Sequence, residues 1–255
     1  MNGLIRVKNE SYSRYEEVLL RKANLKKEAH QIMLNYLNVF GDLIQELFTL
    51  KVECIKLKKM ISYCQAMVNR DLPLNRGSLE QFIEKQMSDY QKELDDMIAQ
   101  VKNAKESEDV SLATVRLIKQ KYYRLAKLIH PDLHPEYADD EVIQELWYRI
   151  NVAYECNQLN DMEELEVQVN AYLASLGVGG EMPEIANLEE KIEAVEKEID
   201  TIVHTKPYIY RFILEDPDDV KRKKEELQED IQSYTDYKEE LEQIFEQFQF
   251  EEMYS

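Results

Sequence analysis

Residues 112–132 read LATVRLIKQKYYRLAKLIHPD, and this stretch decides how the rest of the chain is interpreted. At roughly 100° per residue, one arc of a helix collects four apolar side chains: Ile118, Tyr122, Leu125 and Ile129. The opposite arc, called here the basic face, collects Arg116, Lys119, Tyr123 and Lys127, with Arg124 at its border. Pro131 disfavours the helical conformation in the residue before it, so the helix is predicted over residues 112–129.

The basic face contains no acidic residue. None occurs anywhere between residues 112 and 129, although acidic residues outnumber basic ones by 51 to 32 in the whole chain. By itself, such a stripe is more often a solvated helix face than a binding surface. The tripeptide His130-Pro131-Asp132 is also weak evidence alone, because short motifs occur by chance. The two features become informative together, since the helix runs directly into the tripeptide.

Two patterns in and after this helix resemble those of the J-domain family. The first, Tyr-x-x-Leu-Ala-x-x-x-His-Pro-Asp, is matched by Tyr122, Leu125, Ala126, His130, Pro131 and Asp132. The second, aromatic-x-x-Ile-x-x-Ala-Tyr-Glu, is matched by Trp147, Ile150, Ala153, Tyr154 and Glu155. The resemblance covers residues 111–159 and implies two antiparallel helices joined by the His-Pro-Asp loop (residues 130–132). The core expected for this pair is Tyr122, Leu125, Trp147, Ile150 and Tyr154.

The resemblance also implies a function, that of a non-enzymatic co-chaperone which binds a DnaK-type heat-shock chaperone and stimulates its ATP hydrolysis. The basic face would dock on an acidic surface of the chaperone, where Lys119, Arg124 and Lys127 raise the association rate by their charge. Asp132 would make a charge-assisted bond with an arginine of the chaperone. Pro131 would fix the shape of the loop, and His130 would orient it.

The chain departs from the family at several points. Tyr123 stands where lysine or arginine is usual, which reduces the positive charge of the basic face. No Tyr-x-x-Leu-Gly-Val segment precedes the motif, so the family's first short helix is missing or is replaced by the helix predicted over residues 78–101. The departures keep open an alternative from another class: a structural coiled-coil adaptor whose J-like module makes no contact with a chaperone.

The segments on either side of the motif carry heptad patterns, which are typical of coiled coils. One pattern runs through a long helix predicted over residues 12–69, with a local change of supercoil near Gly41. Two further seams, at 188–202 and 220–245, are expected to pair as an antiparallel hairpin. The sequence therefore predicts an elongated all-α protein in four segments: 1–70, a long coiled-coil helix; 71–110, a linker and helix; 111–178, the J-domain-like core; and 179–255, an acidic C-terminal helical hairpin. The seams leave open pairing within one chain, as a homodimer, or with a client or adaptor protein.

Several helix ends are predicted from their capping residues. Ser78 and Ser111 are expected N-caps, as is either Asp139 or Asp140 after the loop. The helix that follows is expected to be amphipathic, with apolar residues Val142, Leu146, Trp147, Ile150, Ala153 and Tyr154. The acidic stretch at 215–219 is interpreted as a helix start, with Asp216 as N-cap and Pro217 at the first helical position, and not as a calcium loop.

Composition narrows the choice of function. The net charge of −19 disfavours binding to nucleic acid or to an anionic membrane surface. No apolar run is long enough for a secretory signal or a membrane span, so a cytoplasmic protein is expected. Three scattered cysteines are expected to be reduced core residues: Cys54, Cys64 and Cys156.

No cofactor or metal is expected. A metal site formed by His130, Asp132 and His134 is disfavoured because Pro131 and Pro135 break the helix that would align the two histidines. A catalytic pair of His130 and Asp132 is disfavoured as well, since neither a nucleophile nor a glycine-rich substrate loop accompanies it.

Overall fold

The computed structural model describes residues 2–106, 110–176 and 187–250, with side chains from residue 10 onward. Eight α-helices lie in these ranges: α1 Asn2–Val68, α2 Arg76–Glu106, α3 Leu112–Ile129, α4 Glu141–Glu155, α5 Leu159–Leu176, α6 Leu188–His204, α7 Tyr210–Glu215 and α8 Pro217–Glu246. A 3₁₀ helix, Pro135–Tyr137, lies between α3 and α4. The described ranges contain no strand, so the prediction of an all-α fold is confirmed.

The helices pack into two compact units. The first unit comprises residues 1–33 and 108–209, and the second comprises residues 34–107 and 210–255. The four segments expected from the sequence cut across these units, since α1 contributes to both. Consecutive residues of a long helix can be covered by different neighbours, and the heptad pattern does not reveal where one neighbour replaces another.

The core of the first unit lies between α3, α4 and α5. It is formed by side chains that are almost inaccessible to solvent: Ile118, Tyr122, Leu125, Ile129, Ile143, Ile150, Met162, Leu165 and Val169. Leu20 of α1 is buried in the same cluster. Burial of each such side chain contributes about 1.5–3 kcal/mol relative to an exposed position. The three helices and α1 are therefore held together by one continuous apolar core.

Capping residues fix the ends of α3 and α4. The Ser111 hydroxyl accepts the backbone N–H of Thr114 at 3.1 Å, as predicted. The Asp140 carboxylate accepts the N–H groups of Val142 and Ile143, each at 3.0 Å. This cap places Val142 in the first turn, facing solvent, and Ile143 in the core. Val142, one of the apolar residues predicted for this helix, therefore lies outside its core.

The apolar seams of α6 and α8 were expected to pair with each other. The α6 seam instead lies in the first unit, in a cluster of Tyr15, Val18, Leu19, Leu133, Ile192, Val195 and Ile199. The α8 seam lies in the second unit, where Leu227 packs with Tyr36, Phe40 and Leu47 of α1. Both helices of the predicted hairpin exist, but different parts of α1 cover them. A heptad pattern predicts an apolar stripe without identifying its partner.

In the second unit, α1 continues through Gly41 as an unbroken helix. A Cβ atom at this position would lie 2.9 Å from Cγ1 of Val101 on α2. Glycine at position 41 therefore permits the close approach of α2. The heptad pattern associates this glycine with a change of supercoil, whereas the structure gives it a role in helix packing.

Two helix starts in the second unit test the capping predictions. Asn75 Oδ1 accepts the N–H of Ser78 at 2.9 Å, so α2 begins before Ser78, which is not its N-cap. Asp216 accepts the N–H of Asp218 at 2.9 Å and caps α8, with Pro217 at the first helical position as predicted. The short helix α7 has no counterpart in the predictions.

Two of the three cysteines are buried, Cys54 and Cys64. Cys156 is exposed, contrary to the expectation, because it follows the last turn of α4 as its C-cap residue. None of the helices in the described ranges combines the length and apolar character needed to cross a membrane.

Candidate partner-binding site

The His-Pro-Asp loop is fixed by hydrogen bonds within its own turn. The backbone N–H of Asp132 donates to Nδ1 of His130 at 3.0 Å. The N–H groups of Leu133 and His134 donate to the carbonyl oxygen of His130 at 2.9 and 2.8 Å. Nε2 of His134 donates to the carbonyl oxygen of Lys127 at 2.7 Å, which ties the loop back to the last turn of α3.

His130 is a neutral, largely buried ring. Its centroid lies 4.7 Å from that of Trp147 on α4. Burial lowers the pKa of His130 to about 4; Asp132 partly opposes this shift, and Lys22 of α1 adds to it. At neutral pH the ring is therefore uncharged and has one unprotonated nitrogen, which the N–H of Asp132 identifies as Nδ1. The charge state of the ring and the shape of the loop depend on each other.

The other two residues of the loop are more accessible. Asp132 is exposed and Pro131 is half-buried. Behind them, α3 and α4 run antiparallel, with the rings of Tyr122 and Tyr154 stacked at a centroid distance of 4.0 Å. Four residues of the expected core are buried, Tyr122, Leu125, Ile150 and Tyr154, while Trp147 is half-buried beneath His130.

Two cations of the basic face form ion pairs with carboxylates of the same chain. Arg124 forms an ion pair with Glu166 of α5. Lys127 Nζ lies 2.8 Å from Oε1 of Glu16 on α1. Arg116 and Lys119 are exposed, and the Lys119 ammonium lies 5.4 Å from the ring centroid of Tyr123. The sequence did not predict the two ion pairs, because both join residues far apart in the chain.

Tyr123 and Tyr154 are joined to α1 through Asn24. The Asn24 side-chain amide donates to the hydroxyl of Tyr123, and its Oδ1 accepts the Tyr154 hydroxyl at 2.7 Å. Lys27 lies 4.1 Å above the Tyr154 ring, and burial, aided by the charge of Lys119, lowers its pKa to about 8.

Besides α5, the helix α1 also packs on α3 and α4, through Leu20 and Asn24. The sequence suggested the helix at residues 78–101 as the neighbour that precedes the motif. That helix is α2, which belongs to the second unit. The order of elements in the chain did not reveal this packing, because residues 20–27 of α1 precede α3 by more than 80 residues and α2 lies between them.

A polar cleft of about 390 Å³ opens between α1 and the His-Pro-Asp loop. Lys22, Ala23 and Lys26 of α1 line one wall, and the three loop residues line another. Glu155, at the end of α4, adds a second carboxylate to that of Asp132. These lysines were not predicted as site residues, although the segment RKANLKK at residues 21–27 has four basic residues and no acidic one.

Metal binding finds no support in the described residues, where no group of three His, Cys, Asp or Glu side chains is placed to hold an ion. The ring nitrogens that a metal would need are already engaged. Nδ1 of His130 accepts the N–H of Asp132, and Nε2 of His134 donates to the carbonyl oxygen of Lys127.

No protein-family model, curated protein or solved structure matches this chain.

Proposed function

We propose that the first unit is a J-domain-type module and that the protein is a cytoplasmic co-chaperone of a DnaK-type heat-shock chaperone. The observation that carries the proposal is the His-Pro-Asp loop, in which neutral His130 fixes the turn while the carboxylate of Asp132 stays exposed. A carboxylate on a rigid turn is suited to a charge-assisted bond with an arginine of a partner. In this proposal the chain supplies binding and orientation, and the chaperone supplies the groups that hydrolyse ATP.

The basic face supports the same proposal through charge. Arg116 and Lys119 are exposed on α3. The side chains of Arg124 and Lys127 are 56% and 57% exposed despite their ion pairs. Their partners Glu166 and Glu16 are only 14% and 20% exposed. Because Glu166 keeps a second cation, Lys121, at 2.7 Å, Arg124 can exchange its present partner for a carboxylate of a docking protein at modest cost.

The proposal predicts that Asp132→Asn abolishes stimulation of the chaperone's ATPase. The measurement is steady-state ATP hydrolysis by the DnaK-type chaperone of the source organism, with and without the full-length protein. Asp139→Asn is the matched control, because Asp139 is exposed in the same connection between α3 and α4, whereas Asp140 is the residue that caps α4. We expect the control to stimulate like the wild type, and circular dichroism to show that both variants are folded.

A second candidate function is the structural adaptor. It is favoured by the contacts of Glu16 and Asn24 with Lys127 and Tyr123, which use part of the basic face inside the chain. In that case the folded wild type would leave the ATPase rate of the chaperone unchanged. The same assay therefore separates the two functions.

A further inference from the structure

The wall of the cleft formed by α1 is basic. Its segment 21–27 reads RKANLKK, and Lys22 and Lys26 line the cleft together with the His-Pro-Asp loop. Lys22 is paired with Glu198 of α6 at 2.8 Å and is only 20% exposed. Lys26 is exposed. Lys26 is therefore the α1 cation best placed to meet a molecule that approaches the loop.

This part of α1 is a permanent component of the first unit. Leu20 is buried in the core between α3, α4 and α5. One turn further, Asn24 bonds to two tyrosines, and its removal would leave the hydroxyl of Tyr154, a residue that is 2% exposed, without this partner. An unsatisfied buried hydroxyl costs about 1–3 kcal/mol. Moving this segment away from the loop would break these contacts at that cost, so a binding partner is expected to meet the loop and α1 together.

Lysines of α1 and α3 shift the pKa values of neighbouring groups in the first unit. Lys22 influences the charge state of His130, and Lys119 of α3 influences that of Lys27. Position 123 of α3 is a tyrosine, so α3 presents no cation there. The Tyr123 hydroxyl accepts a hydrogen bond from Asn24. The α1 wall adds positive charge to the cleft that Asp132 also lines.

We propose that Lys26 and the His-Pro-Asp loop form one composite surface for the chaperone, and that Lys26 selects a partner segment carrying a carboxylate beside the arginine that meets Asp132. The inference rests on the proposed co-chaperone function and adds α1 to its binding surface. Charge complementarity identifies the occupant, because the cleft offers a cation on its α1 wall and a carboxylate on its loop wall. A polypeptide bearing both signs of charge satisfies both walls.

The test is the association rate of the ATP-bound DnaK-type chaperone with the immobilised full-length protein, measured at low and at physiological salt. Lys26→Glu should associate roughly two- to ten-fold more slowly at low salt, and Lys26→Gln should fall between it and the wild type, since charges at the rim of an interface act mainly on the association rate. The difference should shrink at physiological salt. Lys197→Glu is the matched control: Lys197 is exposed on α6 of the same unit, does not line the cleft, and gives the same change in net charge.

Each outcome either supports or overturns the inference. If Lys26→Glu associates like the wild type while Asp132→Asn loses ATPase stimulation, the composite surface is overturned and the proposed function stands. If Lys26→Glu and Lys197→Glu slow association equally, net charge is responsible and the role of Lys26 is overturned. If the folded wild type neither binds the chaperone nor stimulates it, both the inference and the proposed function are overturned.

Discussion

His130 shows how one side chain links the chemistry of the loop to the stability of the first unit. Its Nδ1 accepts the N–H of Asp132, and its ring packs on Trp147, so it must stay both neutral and buried. The sequence predicted that His130 orients the loop. His130 does so while packed on Trp147, and the charge of Lys22 on α1 helps to keep its ring neutral. The influence of Lys22 could not be predicted from the motif.

We expect His130 to make the protein less stable as the pH falls from about 6.5 to about 4. The pKa of His130 is lowered from 6.5 to about 4 in the folded chain, chiefly by burial. Between these values the unfolded chain binds the proton that the folded chain refuses, so the free energy of unfolding decreases by on the order of 2–3 kcal/mol. Urea unfolding followed at a series of pH values measures this loss.

The informative variant is His130→Asn, which keeps a hydrogen-bond acceptor but has no ring to titrate. Its free energy of unfolding should depend less on pH across this range than that of the wild type. His204→Asn is the control, since the His204 side chain is 71% exposed. Parallel pH curves for the wild type and His130→Asn would contradict the assignment of the effect to His130.

At the scale of elements, Gly41 decides how closely α1 and α2 pack in the second unit. A methyl group at this position would lie 2.9 Å from Cγ1 and 3.2 Å from Cγ2 of Val101. Val101 is 2% exposed and β-branched, so it cannot turn away easily. The glycine thus serves helix packing, at the expense of helix propensity.

We predict that Gly41→Ala destabilises the protein by roughly 1 kcal/mol. In an open helix position the same substitution stabilises by about 1 kcal/mol, whereas overpacking a filled core costs about 1–3 kcal/mol. Chemical denaturation measures the change, with Gly77→Ala as the control, because the nearest atom to a Cβ at Gly77 is Asn75 Oδ1 at 3.4 Å. In a Val101→Ala background, Gly41→Ala should become stabilising. A gain in stability in the wild-type background would show that α2 yields to the methyl group.

The helices themselves were largely predictable, and their partners were not. Local signals placed the N-caps Ser111 and Asp216 and narrowed that of α4 to Asp139 or Asp140, because a cap depends on residues within one turn. The same kind of signal misplaced the cap of α2 at Ser78. The seam of α6 was also visible, as an apolar stripe. Its partner, the start of α1, lies more than 170 residues away in the chain, and no local pattern encodes a contact of that range.

For the molecule as a whole, the sequence predicted one part of the candidate site and not the other. The motif residues gave the loop, the antiparallel pair and the basic face. The α1 wall of the cleft, Lys22 to Lys26, depends on which segment of a long heptad helix packs beside α3. Any turn of α1 offers a similar apolar stripe, so the sequence did not single out the segment that completes the site.

A heptad seam such as that of α1 is able to join two copies of a chain. Much of the predicted seam is already buried within one chain, at Ala29, Ile32, Tyr36, Leu47, Cys54 and Cys64. A homodimer built on this seam would have to displace the chain's own helices, and a net charge of −19 on each copy would oppose association. The seam is therefore satisfied without a second copy.

We accordingly predict a monomer at tens of micromolar protein. Light scattering coupled to size-exclusion chromatography should give a mass near 30.3 kDa, at both low and high salt. High salt screens the charge repulsion, so a monomer under that condition would show that the seam is occupied and not merely kept apart by charge. A mass of about twice this value would mean that other surfaces join two copies or that the helices exchange between them, and it would strengthen the adaptor function over the co-chaperone.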